Sequence, residues 1–411
     1  MLAARVVFVL VSIAFLPPLA AQKRDRRDVV ELTSGKSLKG RVVLETEDTI
    51  VLRIGSKERR LARTSIQRVQ SVARAHREVH AAFRKAGDDP GAWLRLAKSC
   101  ASRHLPHTAR LLYWCVLLTD PQSEAAHEGL GHKKRRGRWL VPGRGGLMTL
   151  KRAAKVRSEW GKAWELRSEH YTVRCSAGLA ACVHALFDLE FFYLTFFDLF
   201  QKRLGLREIV VPMKVNLYGN AREMPSFGST VGAIFASDEN IIYTQQADPL
   251  LRSGSLFHEA THSLLYNTTS GAAKSRGRLP AWLDEGWAVY MSGVLGPGTP
   301  GRPTFVPGGR TGYYFHAVRD AKKPYKLHRL LNFQADDFAA SSHQRIKYGQ
   351  SYVLVHYLLH GASEEQRETF WLFLRQAIAG KGQASTFRRL FRSGAKRLEK
   401  GYLAWAASGS R

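Results

Sequence analysis

Leu256-Phe257-His258-Glu259-Ala260-Thr261-His262-Ser263-Leu264-Leu265-Tyr266 is an apolar-rich run containing an H-E-x-x-H pattern. On a helix, positions four apart share one face about a turn apart, so His258 and His262 are expected to point at the same spot. Two converging imidazoles suit Zn²⁺, and Glu259 lies alongside as a base for water. With 15 histidines in the chain, the five-residue pattern alone is only moderately specific. A second stretch sharpens it: Leu279-Pro280-Ala281-Trp282-Leu283-Asp284-Glu285-Gly286-Trp287-Ala288-Val289-Tyr290. Pro280 suits a first helical turn, and Leu283, Trp287 and Tyr290 are spaced as on one helix face. Catalytic zinc usually keeps three protein ligands and one open position. Glu285, 23 residues after His262, is the expected third ligand. Read blandly, Glu285 is a solvated helix acid and the histidines are satisfied core residues; both halves occurring in order favour the metal.

The two stretches together resemble the gluzincin clan of zinc metallopeptidases, and more narrowly the peptidase-MA-like domains of exported bacterial proteins. The resemblance covers roughly residues 168–405, and only its two helices are specific. It implies an α+β, zincin-like domain with a mixed sheet, one Zn²⁺ per chain held by His258, His262 and Glu285, and Glu259 as general base. In one place the chain departs from the pattern. Val289 stands where a thermolysin-type enzyme carries an Asp four positions after the third ligand, so outer support for His258 or His262 is expected from elsewhere. The implied activity is hydrolysis of peptide or protein substrates, with Glu259 taking a proton from water and passing it to the leaving amine. The competing reading is a non-catalytic exported binding or scaffold protein with a vestigial metal site, working on anionic cell-envelope polymers. An intact Glu259 speaks against it, because a purely structural site needs no base.

Length, charge and cysteines set the frame. The 411 residues suggest two or three domains, and 45% apolar with 24% charged residues is the composition of a folded globular chain. Residues 1–21 hold Arg5, an apolar run Val6–Leu16 and then Pro17-Pro18-Leu19-Ala20-Ala21, which reads as a cleaved secretory signal. A secreted or periplasmic protein is expected. No later stretch reads as a membrane span, because Ala181–Phe200 contains Asp188, Glu190 and Asp198. The formal net charge of +29 favours acidic partners. Its densest cluster is His132-Lys133-Lys134-Arg135-Arg136-Gly137-Arg138, but no nucleic-acid-binding pattern accompanies it, so a generally basic surface is expected. Cys100, Cys115, Cys175 and Cys182 allow local pairs 100–115 and 175–182 or four buried thiols. His104 and His107 near Cys100, and the helix-spaced His76 and His80, offer metal donors without a partner acid in pattern, and read as structural or surface residues.

Taken in order, residues 28–72 alternate polar and apolar between Gly-containing turns and resemble a small SH3-like β-barrel. Residues 74–131 resemble a tetratricopeptide-like helical hairpin, with Asp120-Pro121 at its turn, which must pack on a neighbour. Residues 132–168 read as a basic loop and linker helix, and 169–405 as the catalytic domain. In that domain, strands are expected near 170–175, 209–218, 233–236 and 241–244, with a Phe-rich core helix at 179–201. In the gluzincin clan the edge strand before the zinc helix borders the cleft and pairs with substrate backbone. The Gly/Pro-rich passage Gly296–Gly309 is a candidate cleft rim. His343–Leu359 opens and runs a further helix, in which the family's domains often carry a tyrosine. Tyr348 is therefore the candidate to steady the oxyanion, with His343 in reserve. Ser363-Glu364-Glu365-Gln366 is a capping box.

Overall fold

Alternation between turns at 28–72 produces a five-stranded sheet of β1 (Asp28–Leu32), β2 (Ser37–Glu45), β3 (Thr49–Ile54), β4 (Lys57–Ala62) and β5 (Ile66–Gln70). Its order is β4-β3-β2-β1-β5 and every pairing is antiparallel. Gly35 and Gly55 take positive φ at the β1–β2 and β3–β4 turns, where a side chain would be strained. The inward residues Val30, Leu38, Val42, Ile50, Leu52 and Leu61 form a small core of their own. Asp28 ties this sheet onward: its carboxylate accepts from the backbone N–H of Val42 (2.6 Å) and of Val72 (2.8 Å). The computed structural model describes residues 28–143, 145–209, 211–227, 232–245, 249–268, 279–293, 312–339, 343–392 and 395–408. The expected leader and the Gly296–Gly309 rim lie outside the described residues.

Next come α1 (Val72–Ala86), α2 (Pro90–Ser102), α3 (Pro106–Thr119) and α4 (Glu124–Leu130). Caps set their starts: Ser71 accepts from Arg74 N–H and Asp89 from Gly91 N–H, with Pro90 and Pro106 in first turns. The basic stretch expected as a loop is instead a three-stranded antiparallel sheet of β6 (Lys133–Arg135), β7 (Arg138–Gly143) and β8 (Gly146–Met148). Gly137, at φ 76°, occupies the β6–β7 turn, and Gly146, at φ 116°, opens β8 opposite Gly143. The linker helix is α5 (Leu150–Val156).

A second five-stranded sheet follows, made of β9 (Trp164–Arg167), β10 (Tyr171–Cys175), β11 (Met213–Tyr218), β12 (Ala233–Ala236) and β13 (Ile241–Gln245). Its order is β12-β13-β11-β10-β9. The central strands β10, β11 and β13 are parallel, and the edges β9 and β12 run antiparallel. Between β10 and β11 lies α6 (Leu179–Leu204), a helix that is long and apolar enough to cross a membrane, with mean hydropathy 1.5 over its best window. That corrects the expectation that its acids forbid it. Here the helix is a core element: most of its length is buried, Asp188 and Glu190 included. Its Phe192 stacks on Phe257 with ring centroids 4.7 Å apart.

The remaining elements are helical: α7 (Pro249–Thr268), α8 (Ala281–Met291), α9 (Gly312–Arg319), α10 (Leu327–Leu330), α11 (Ala335–Ala339), α12 (Gln344–His360), α13 (Glu364–Gln376), α14 (Ala384–Leu390) and α15 (Ala395–Ser408). Ser363 caps α13 by accepting from Gln366 N–H. One hydrophobic core runs from Val79 on α1 to Ala406 on α15, so the N-terminal helices and the second sheet share it. Within that core α8 lies backbone against backbone on α12. A Cβ built on Gly286 would stand 2.6 Å from the carbonyl oxygen of Ser351, so only glycine permits the approach. The four cysteines are buried free thiols, and neither local pair is formed. The architecture is mixed α+β with several sheets.

Candidate metal centre

The centre is assembled from α7, α8 and the edge strand β12. Helix α7 follows β13 closely in the chain and packs against β12 and β13, which brings its H-E-x-x-H face to the sheet's edge. Trp282 and Trp287, both fully buried, fix α8: Trp282 stacks on Phe373 and Trp287 meets Phe196 and Phe200. Burying such rings stabilises the helix's placement by about 1.5–3 kcal/mol each.

On this frame the three expected ligands converge. His258 Nε2 lies 3.2 Å from His262 Nε2 and 3.2 Å from Glu285 Oε2, and His262 Nε2 lies 3.6 Å from the same oxygen. A tetrahedral ion with bonds of about 2.0–2.2 Å sets its ligand atoms about 3.3–3.6 Å apart, so the donor set is spaced close to what a zinc-sized ion takes. The side chains are 19%, 13% and 19% exposed respectively, which leaves the centre open to solvent. Burial disfavours charge on His262, yet the Asp284 and Glu285 carboxylates outweigh it and raise its pKa well above the usual value. Burial likewise opposes ionised Glu285, but His262 and His258 hold it well below the ordinary carboxylate range.

Asp284 is the residue that the sequence reading missed. Its Oδ1 lies 3.0 Å from His262 Nδ1, so it holds the ring with Nε2 turned inward. The support looked for at Val289 thus comes from the residue just before Glu285; Val289 itself is buried core. The available signal was an acid adjacent to the expected ligand in a helix's first turn.

Glu259 is half-buried beside the two histidines. Its Oε2 accepts the backbone N–H of Phe235 at 2.7 Å, which ties it to the outer edge of β12. Burial raises its pKa; His258 and His262 pull it down and Glu285 pushes it up, and the net is upward. Tyr348 on α12 stands at the same opening, its ring centroid 6.2 Å from that of His258. Burial first, then the Glu285 and Glu259 charges, hold its phenol protonated. His343 is exposed at the start of α12 in the left-handed conformation, φ 59°.

Among the described residues a second group of metal-type donors meets within the same 4.8 Å span: His76, His170 and Glu190. His76 and His80, expected to be structural or surface residues with no acid partner, are buried, and α6 supplies the acid. Cys100, His104 and His107 form no such group. His104 is an exposed left-handed residue, the His107 backbone N–H donates to Glu169, and burial pushes the Cys100 thiol up to about 12.

A family model described as a protein of unknown function, DUF1570, matches residues 253–381. That interval holds His258, Glu259, His262, Asp284, Glu285 and Tyr348. No curated protein matches the chain.

Proposed function

We propose that the chain is an exported zinc-dependent peptidase whose residues 169–405 form a zincin-like domain of the gluzincin kind. The observation that carries this is the meeting of His258 Nε2, His262 Nε2 and Glu285 Oε2 within 3.2–3.6 Å, with Glu259 beside them. The antiparallel edge strand β12 next to the metal helix supports the same fold. The antiparallel order of β1–β5 and the packed pair α2–α3 support an SH3-like barrel and a tetratricopeptide-like hairpin ahead of it.

A Zn²⁺ held by these three residues would supply Lewis acidity and make water a usable nucleophile near neutral pH. Asp284 orients His262 by accepting from Nδ1–H. Glu259, fixed by Phe235 N–H, takes the proton of the attacking water and delivers it to the leaving amine. Tyr348, protonated, donates to the oxygen on which negative charge develops. The outer edge of β12 offers backbone groups to an extended substrate by strand addition.

The test is a Glu259→Gln chain assayed with a peptide library beside metal content by mass spectrometry, with His262→Ala as control. The reading requires about one zinc lost in His262→Ala, and zinc kept with cleavage lost in Glu259→Gln. Wild-type cleavage rates in Glu259→Gln would sink it. A separate role on anionic envelope polymers draws support from a groove between the first sheet, α1 and α6. There Arg63, Arg68, Arg74, Arg77 and Lys202 stand beside Glu45 and Asp198. Weak retention on heparin that salt does not change would remove that role.

A further inference from the structure

A second pair of histidines four apart, His76 and His80, lies on α1, and its surroundings resemble no ordinary core. His76 is 1% exposed, His80 5% and Glu190 0%. Glu190 Oε2 stands 3.5 Å from His76 Nε2 and 2.7 Å from His170 Nδ1, and its Oε1 accepts the His170 backbone N–H at 2.6 Å. The His80 ring lies 4.5 Å from the His76 ring, and His170 is stacked on Tyr193 at 3.7 Å. Neither ring nitrogen of His76 has a hydrogen-bond partner, nor has Nε2 of His80. Buried polar atoms are paired in folded proteins with few exceptions, and two unpaired His76 nitrogens beside one buried carboxylate call for a cation.

We propose that His76, His170 and Glu190 bind a second divalent metal ion of the zinc type. Imidazole and carboxylate together select a borderline ion such as Zn²⁺, whereas Mg²⁺ and Ca²⁺ prefer all-oxygen sites. The His76–Glu190 separation of 3.5 Å already matches two ligands on one tetrahedral ion. The His170–Glu190 contact is a hydrogen bond at 2.7 Å. On binding, His170 Nδ1 exchanges its proton for the metal and the pair opens by about 0.6 Å, so one proton leaves. Burial keeps His76 well below its usual pKa and His80 down at about 4, so both rings are neutral and their lone pairs available. Glu190 is the anion: burial opposes its charge, but the His170 ring hydrogen-bonded to it holds it low.

The site differs in kind from the one at His258. Its donors come from three separate pieces of chain, and it is closed to substrate, so its role is structural. It staples α1 to α6 and to the turn entering β10, joining the N-terminal helices to the second sheet. This inference does not depend on the peptidase reading.

The experiment uses the full chain carrying His258→Ala and His262→Ala, which removes the first centre. It is loaded with Zn²⁺ and dialysed, and metal is counted by mass spectrometry with circular dichroism as the folding check. About one zinc per chain is expected, falling to about none when His76→Gln or, separately, Glu190→Gln is added. Cobalt loading of the same proteins is expected to give visible absorption of a bound ion that disappears in parallel. Stripping with a chelator is expected to lower the melting temperature of the double variant, with recovery on adding Zn²⁺. A folded double variant that binds no zinc overturns the proposal, as does zinc retained unchanged in both added variants. Should the added variants unfold, the chelator melt alone decides, and a melt indifferent to chelator overturns it.

Discussion

Replacing Asp284 by Ala removes the only partner given to His262 Nδ1 by α8, an oxygen at 3.0 Å. Partners of this kind are worth about 10–100-fold in metal affinity, or about 1.4–2.7 kcal/mol. The Asp284 side chain is 31% exposed, so solvent screens part of the interaction. The expected loss therefore sits near the lower end, about tenfold. Two side effects need separating from it. Asp284 lies in the first turn of α8, where an acid is worth about 0.3–1 kcal/mol to the helix. Its charge also raises the proton affinity of His262, so removal relieves proton competition and offsets part of the loss at low pH. The measurement is competition for Zn²⁺ against a chromophoric chelator at about pH 8, where proton competition weakens, beside thermal melts. Asp284→Asn keeps an acceptor without the charge, and is expected to lose less affinity than Asp284→Ala while melting at a similar temperature. A zinc Kd in Asp284→Ala within about twofold of wild type would show that His262 does not lean on Asp284, and the account of the centre would fail at that point.

Gly286→Ala places a methyl 2.6 Å from the Ser351 carbonyl oxygen, which as backbone cannot swing aside. A loss of about 1–3 kcal/mol in urea unfolding is expected, and an unchanged midpoint would contradict the close packing of α8 on α12. Tyr348→Phe is expected to lower kcat by about 10²-fold with KM and zinc content little changed; a full-rate variant would remove Tyr348 from the chemistry. His132 is buried, and burial, then His127 and Arg110, bring its pKa down to about 4 from 6.5. A histidine depressed on folding contributes fully above the unfolded value, and its contribution is lost as pH falls through that value towards the folded one. Stability should thus decline from pH 6.5 to about 4 by up to about 3 kcal/mol, and His132→Gln should flatten that decline. Parallel curves for the two proteins would exclude His132 as the cause.

What could be read from the sequence was what is local. The H-E-x-x-H of α7 needs only helical spacing to bring two imidazoles together, and the apolar runs at β10, β11, β12 and β13 mark strands wherever they pair. Strand β4 has Leu61 as its one buried residue, so alternation alone does not mark its bounds. The meander β6–β8 escaped because Pro142, Gly143 and Gly146 stand inside its strands while Gly137 stands at a turn, and composition alone does not tell these places apart. Asp284 and Glu285 illustrate a finer limit. Neighbours on a helix point about 100° apart, so adjacent acids cannot both face the metal, and only the packing of α8 determines which one does.

The two histidine pairs carry the argument further. His76–His80 and His258–His262 have the same spacing on helices; within the pairs, Glu259 follows His258 where Arg77 follows His76. What also differs is the origin of the acid. For α7 it comes from the next described helix, within reach of a spacing pattern; for α1 it comes from α6, placed there by the packing of β10 and the core. No spacing rule spans that distance. One signal was nonetheless present in the chain. Glu190 stands in Phe187-Asp188-Leu189-Glu190-Phe191-Phe192, an apolar-rich run where a buried ionised carboxylate is not stable without a partner. An acid in such a run implies a buried cation or donor elsewhere in the chain. Histidines spaced four apart and lacking an acid of their own were the group that could answer it.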